Sequence, residues 1–418
     1  MNWIGWLILA TLLVDYFLNL LADWLNVRHM QAGLPEAFRG YYDADRYRTA
    51  QQYLHVNTRF GWVVSSVNLA ALLAFWFGSG FAFLDGLVRS WHLGPILAGM
   101  AYIGILSALT AILSLPFRLY RTFVIEARFG FNRTTPKIFI QDQLKALGLA
   151  IMLGAPLLAA VLWFFQYAGA QAWLLCWLAV TAYMLFVQFI APTWIMPLFN
   201  KFSRLEDGEL RDAIVSYARS IQFPLENIFV MDGSRRSSKS NAFFTGFGSH
   251  KRIVLFDTLI ANHTVSELVA VLAHEMGHYK KRHVLIGLVA GILQTGLMFY
   301  LLSIFIEYAP LFEAFFLQRP SVYAGLVFFA LLYTPLDLFL GMIMQVLSRR
   351  HEYQADRFAV HTTGRAGAMA EALKKLSVHN LGNLTPHPFY VFLNYSHPPV
   401  LARIRAIDRA GASQGSAD

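Results

Sequence analysis

Charge is what this sequence has least of. Only 14% of its 418 residues are Asp, Glu, Lys or Arg, against about 25% in a soluble domain. Hydrophobic residues make up 56%, and the mean hydropathy is +0.46. An ordinary soluble globular protein is excluded. Cysteine is almost missing as well: Cys176 is alone. It has no partner for an internal disulfide or a thiolate metal site, so a packing role is expected. No basic stretch precedes the first apolar run, which begins at Trp3, and no small-residue cleavage site follows it. That run reads as a retained span and not a signal peptide. Acidic residues number 25 against 34 basic ones, a net charge of +9. Basic loops on the cytoplasmic face of a membrane account for the excess, and no nucleic-acid partner is expected.

Long apolar runs are abundant. Stretches long enough to cross a bilayer lie at about 3–21, 60–83, 94–116, 146–167, 172–195, 284–306 and 322–347. Seven spans follow, with a tight hairpin between the fourth and fifth. Lys and Arg concentrate in the first, third and fifth loops, whereas the second has only Arg89, the fourth none and the sixth only Arg319. By the positive-inside rule the N-terminus faces out, and the odd loops and C-terminus face the cytoplasm. Asp15 and Asp337 fall inside or at the ends of spans, where a carboxyl lines a wet cavity, joins a polar pair or reaches the interface.

The fifth loop, 200–282, is large enough for a small folded domain. Leu210 to Ser220 reads as an amphipathic helix. Residues 227–231, 241–247 and 252–256 read as strands, with Gly246, Gly248 and Ser249 turning the second into the third. The strand nearest the site is expected either to pack beneath the next helix or to pair with an extended peptide. That helix opens with Thr264 and Glu267, a capping box. It carries His274-Glu275-Met276-Gly277-His278 and is expected to run through Lys280-Lys281-Arg282 into the sixth span. His-Glu-x-x-His arises by chance in roughly one chain in a hundred of this size and composition, so its surroundings matter. On a helix His274 and His278 share one face and can grip one tetrahedral Zn²⁺. Glu275, rotated by about 100°, can reach the metal's water without ligating.

A hydrolytic zinc needs a third protein ligand and one open position. Beyond the seventh span, Glu352 or its neighbour His351 can supply that ligand. Asp356, one turn after Glu352, can fix the tautomer of a ligating histidine. The helix bearing them should end near Gly364. Peptide hydrolysis also needs a donor for the developing oxyanion. His397, in Ser396-His397-Pro398-Pro399, and Arg403, on a helix from about Val400 to Arg409, are the two candidates. The tail 410–418 is small and polar and expected to be flexible. The chain thus divides into membrane helices with their loops (1–199), a cytoplasmic motif-bearing part (200–282), two more spans (283–347) and C-terminal helices completing the site (348–409).

Taken together these segments resemble the type I CAAX prenyl endopeptidases, integral-membrane zinc metallopeptidases. The resemblance also covers Glu126 to Thr135, Pro197-Leu198-Phe199-Asn200-Lys201-Phe202 and Ser240-Asn241-Ala242. It implies one zinc per chain held by His274, His278 and Glu352, with Glu275 as general base and acid and Asp356 supporting a ligand. Asn241 would lie near the bound peptide. It further implies a mainly α, polytopic fold in which seven helices form a barrel around a chamber, capped on the cytoplasmic side by a small α+β protease domain. Such enzymes remove the C-terminal tripeptide of prenylated proteins. A bacterial member would sit in the plasma membrane and a eukaryotic one in the endoplasmic reticulum. Two other readings compete. One is a quality-control zinc protease acting on unprenylated membrane proteins, whose relatives have fewer spans. The other is a transporter with a vestigial motif, which binds no stoichiometric zinc and leaves Glu352 and His397 without a purpose.

Overall fold

A helix rich in Leu, Ile, Val and Phe, with no water to satisfy its backbone, closes its hydrogen bonds internally and is stable in lipid. Seven helices meet that description in the computed structural model, which describes residues 1–30, 33–245 and 251–415. They are Trp3–Arg28, Ala44–Phe77, Pro95–Glu126, Pro136–Tyr167, Gly169–Phe199, His283–Phe305 and Val322–Thr363. Ala168 and a 3₁₀ turn, Gly169–Gln171, make the expected tight hairpin between the fourth and fifth. The chain is a multi-pass membrane protein.

Several helix boundaries differ from expectation, three of them as follows. The second span starts at Ala44 and stops at Phe77, because Gly78 caps it and Ser79 turns left-handed (φ 59°), opening a separate short helix, Gly80–Ser90. The seventh span does not end at the membrane: it continues as one helix to Thr363, where Gly364 (φ 64°) terminates it. The last helix, Val400–Gly415, runs past Ala410. Gly411 lies so close to Ala366 that an added Cβ would stand 2.7 Å from it, and this packing holds the extra turn.

The spans enclose a cavity of about 1370 Å³ lined chiefly by apolar side chains, with Asn68, Gln294 and Asp337 among the polar ones. Asp337 accepts a hydrogen bond from Gln294 Nε2 at 3.1 Å, a polar pair in the cavity wall, one of the outcomes left open for it. Asp15 accepts from Asn19 at 3.1 Å. Cys176 is fully buried among apolar neighbours, as a packing residue should be.

Between the fifth and sixth spans lies a four-stranded sheet: β1 (Phe202–Arg204), β2 (Leu225–Met231), β3 (Ala242–Thr245) and β4 (Lys251–Phe256), in the order β1-β2-β4-β3. β2 and β4 are parallel, and the other pairs antiparallel. β1 was missed from sequence because a three-residue strand carries no alternation to read. The expected turn at Gly246–Ser249 lies outside the described residues. A helix, Glu209–Ser220, and the motif helix, Val265–Lys280, pack with this sheet around a core of Ile214, Ile253, Leu255, Leu268 and Leu272. The capping box forms as read: Thr264 Oγ1 accepts from the Glu267 amide at 3.3 Å, and Glu267 Oε2 from the Thr264 amide at 3.1 Å. The motif helix does not continue into the sixth span. It ends at Lys280, and Arg282 (φ 61°) breaks the chain before His283 starts the next helix.

Candidate active site

The motif helix is apolar almost all round, so it is buried almost all round. Residues Glu267 to His274, with Met276 and Gly277, have no appreciable contact with solvent. Gly277 permits the decisive approach. A Cβ there would stand 3.3 Å from the Ala355 backbone and 3.0 Å from the Phe358 ring. Its absence lets the extension of the seventh span lie against the motif helix, and Glu352, one turn before Asp356, comes to rest beneath the two histidines.

The resulting spacing is specific. His274 Nε2 and His278 Nε2 are 3.1 Å apart. His278 Nε2 is 3.3 Å from Glu352 Oε1, and His274 Nε2 is 3.5 Å from Glu352 Oε2. Around a four-coordinate ion with bonds of about 2.0–2.1 Å, neighbouring donors stand about 3.3 Å apart. The two imidazoles and the carboxylate therefore converge on one metal-sized space. Two imidazole nitrogens at this range either share an N–H···N hydrogen bond or, with both lone pairs inward, hold a cation between them. Glu352 Oε2 is buried without a well-directed hydrogen bond, although Arg403 Nη1 lies 3.1 Å away. The donor set fits a metal ion. His351, the rival to Glu352, points elsewhere: its ring stacks on His283 at 4.0 Å.

The donors are braced from behind. His274 Nδ1 is 2.8 Å from Asp356 Oδ1, so the proton sits on Nδ1 and the Nε2 lone pair faces the other donors. Arg403, buried, holds Asp356 with both Nε (2.8 Å) and Nη2 (2.6 Å). Burial and the Arg403 charge push the His274 imidazole down, yet hydrogen bonds to Asp356 and Glu352 outweigh them and bring it up to about 9. A cation, proton or metal, is what this arrangement favours.

Glu275 and His397 border the open side, a cavity of about 860 Å³ that also touches His278, Phe243 and Phe244. Burial, more than any neighbouring charge, raises the Glu275 carboxyl above the ordinary glutamate range. The two oxyanion candidates separate here. Arg403 is engaged by Asp356 and Glu352, whereas the His397 side chain is 63% exposed and its Nε2 lies 3.4 Å from Glu352 Oε1. Ser396 Oγ is 2.8 Å from His397 Nδ1. Asn241 lies beside a smaller cavity shared with His274, Glu275, Glu352 and His397. Its own side-chain oxygen accepts from the Ala242 amide at 2.9 Å.

Sequence reasoning missed three residues. Arg349 donates to the carbonyls of Val391 (3.1 Å) and Tyr395 (2.6 Å), tying the turn that carries His397 to the helix that carries Glu352. His283 and Gln354 reach the site from the far side of His278. An arginine three residues before Glu352 was a visible signal for the first. For His283 the assumption of a continuous helix hid the contact.

Comparison with known proteins places the whole chain. The family model for the CAAX prenyl protease N-terminal region, five membrane helices, matches residues 23–201. That for peptidase family M48 matches residues 204–410. A CAAX prenyl protease 1 homolog of Arabidopsis thaliana is 36% identical, covering 92% of this chain and 93% of its own. CAAX prenyl protease 1 of Saccharomyces cerevisiae is 34% identical, covering 90% and 88%. The crystal structure of S. mikatae Ste24p superposes with a TM-score of 0.92 at 32% identity, over 98% of this chain and all of that one.

Proposed function

This chain belongs to peptidase family M48, with the membrane-helix region of the CAAX prenyl proteases, and from that premise we propose that it cleaves near the C-terminus of prenylated proteins using one zinc ion. It is an integral-membrane metallopeptidase; substrate class, metal identity and residue roles are what is proposed. The observation that carries the reading is the set of metal-sized spacings among His274, His278 and Glu352, beside a Glu275 that opens on a cavity at the membrane.

His274, His278 and Glu352 would hold the zinc, which when bound supplies Lewis acidity and brings water's pKa toward neutrality. Glu275 takes the proton of the attacking water and hands it to the leaving amine. His397 donates from Nε2–H to the oxyanion, its Nδ1 accepting from the Ser396 hydroxyl so that the donor nitrogen faces the cavity. Arg403 is assigned to holding Asp356, and through it His274. The peptide adds to the outer edge of β3, which among the described residues is the end strand beside β4, with Asn241 at the near end of that strand. The basic odd-numbered loops favour a cytoplasmic site and C-terminus.

The test is cleavage of a farnesylated CAAX peptide and its unprenylated counterpart by wild type, chelator-treated protein and Glu275→Gln, with bound metal quantified. Cleavage of the farnesylated peptide alone, dependent on zinc and Glu275, is expected. Equal cleavage of both peptides would move the enzyme toward unprenylated membrane substrates, and turnover by metal-loaded Glu275→Gln would remove the proton-transfer role.

A further inference from the structure

His274 and His278 face the same ion-sized space, and each needs its proton on Nδ1 for Nε2 to act as a ligand. Asp356 enforces this at His274. At His278 the group in the equivalent place is another histidine, His283, whose Nδ1 lies 3.1 Å from His278 Nδ1. On an uninterrupted helix, positions five apart point about 140° away from each other, so this contact exists only because Arg282 adopts a left-handed conformation (φ 61°) and restarts the chain. A non-glycine residue at positive φ is uncommon, and here its result is to bring the buried imidazole of His283 onto the half-buried one of His278.

Hydrogen-bond direction follows from the contacts around His283. With His278 Nδ1 donating, His283 Nδ1 must accept, and its proton must then sit on Nε2. That nitrogen has an acceptor: Gln354 Oε1 at 2.9 Å. The ring is fixed in plane by His351, stacked on it at 4.0 Å with 7° between the planes. His278, His283 and Gln354 form a directional chain of hydrogen bonds ending on the same helix that supplies Glu352.

We propose that His283, backed by Gln354, is a positioning residue for the metal site that holds the Nε2 lone pair of His278 toward His274 and Glu352. This rests on the metal reading above. It gives the two histidines different supports: a carboxylate and a guanidinium behind His274, an uncharged acceptor behind His278.

The experiment compares His283→Leu, which cannot accept a hydrogen bond, with His283→Asn, whose Oδ1 stands where Nδ1 stood. Zinc affinity of the full-length protein is measured by chelator competition, alongside the thermal midpoint of the zinc-free protein. Loss of an outer hydrogen-bond partner typically weakens metal binding about 10- to 100-fold. His283→Leu should show that loss with an unchanged zinc-free midpoint, and His283→Asn should stay within about threefold of wild type. Equal loss in both variants, or none in His283→Leu, would overturn the proposal. If His283→Leu does not fold, Gln354→Leu, at an exposed position, should still weaken zinc binding several-fold while Gln354→Glu does not. Wild-type affinity in Gln354→Leu would then overturn it. Wild-type protein that takes up no zinc would sink the metal reading itself, whereas normal uptake with indifferent variants sinks only the role of His283.

Discussion

Two helices separated by two residues are packed in opposite ways. The sixth span, His283–Phe305, turns Val284, Leu285, Ile286, Val289 and Leu293 outward, and only four of its 23 residues are buried. The motif helix before it, Val265–Lys280, has ten of sixteen residues buried. In the span, lipid on one side and the chamber on the other meet the apolar side chains, so each neighbour constrains them loosely. In the motif helix the same residue types meet a sheet and several helices, and that packing is what keeps two imidazoles and a carboxylate within 3.1–3.5 Å of one another. A hollow wall tolerates imprecision that a metal site cannot.

The strongest way to break this contrast acts at the site. Glu352→Ala should take bound metal from one per chain to near none and turnover to background, while the seven spans still assemble. Metal analysis and circular dichroism on the same preparation check both halves of the statement. Stability should divide along the same line. Leu268, 1% exposed in the core of the motif helix, should cost about 2–5 kcal/mol when changed to Ala. Leu109, 47% exposed and facing the chamber, should cost less than about 1 kcal/mol for the same change. Denaturation midpoints in one detergent decide it, and equal losses would mean the wall is packed as tightly as the site. Between the two leucines falls Gly277→Ala. The new methyl must displace the Ala355 backbone by a few tenths of an ångström, for a cost of about 1–3 kcal/mol. A drop in metal affinity should accompany it, because Glu352 moves with Ala355.

The same contrast explains what could be read in advance. The seven spans were legible because hydropathy is a property of composition that needs no partner. His274, His278 and Glu275 were legible because helical spacing fixes their relation within one turn. Glu352 and Asp356 required knowing that two distant helices touch, and only the family resemblance and the chemistry of a third ligand pointed there. The approach at Gly277 and the left-handed Arg282 were out of reach, since both depend on backbone geometry that local residue preferences oppose. Reading Lys280-Lys281-Arg282 as continuous helix was the natural choice from propensity, and the contact between His283 and His278 is what that choice concealed. The division between His397 and Arg403 was likewise a matter of contacts. Two carboxylates hold Arg403, while His397 borders the open cavity.

The last prediction bears on the proposed oxyanion donor, which lies outside the solid part. His397 stands on a turn before Val400–Gly415, mostly exposed, tied down through Arg349 and the carbonyls of Val391 and Tyr395. Its tautomer rests on a single hydroxyl, Ser396 Oγ at 2.8 Å. Ser396→Ala removes that donor without touching the metal donors or the core. A neutral hydrogen bond of this kind is worth about 0.5–1.5 kcal/mol, so kcat should fall about two- to tenfold, with KM and metal content unchanged. The same substitution would be silent if His397 only lined the cavity, and it would cost far more if Ser396 shaped the turn itself. A change confined to kcat would mean that even the loosely held edge of this site is oriented by a hydrogen bond, and that precision here is a property of contacts and not of burial.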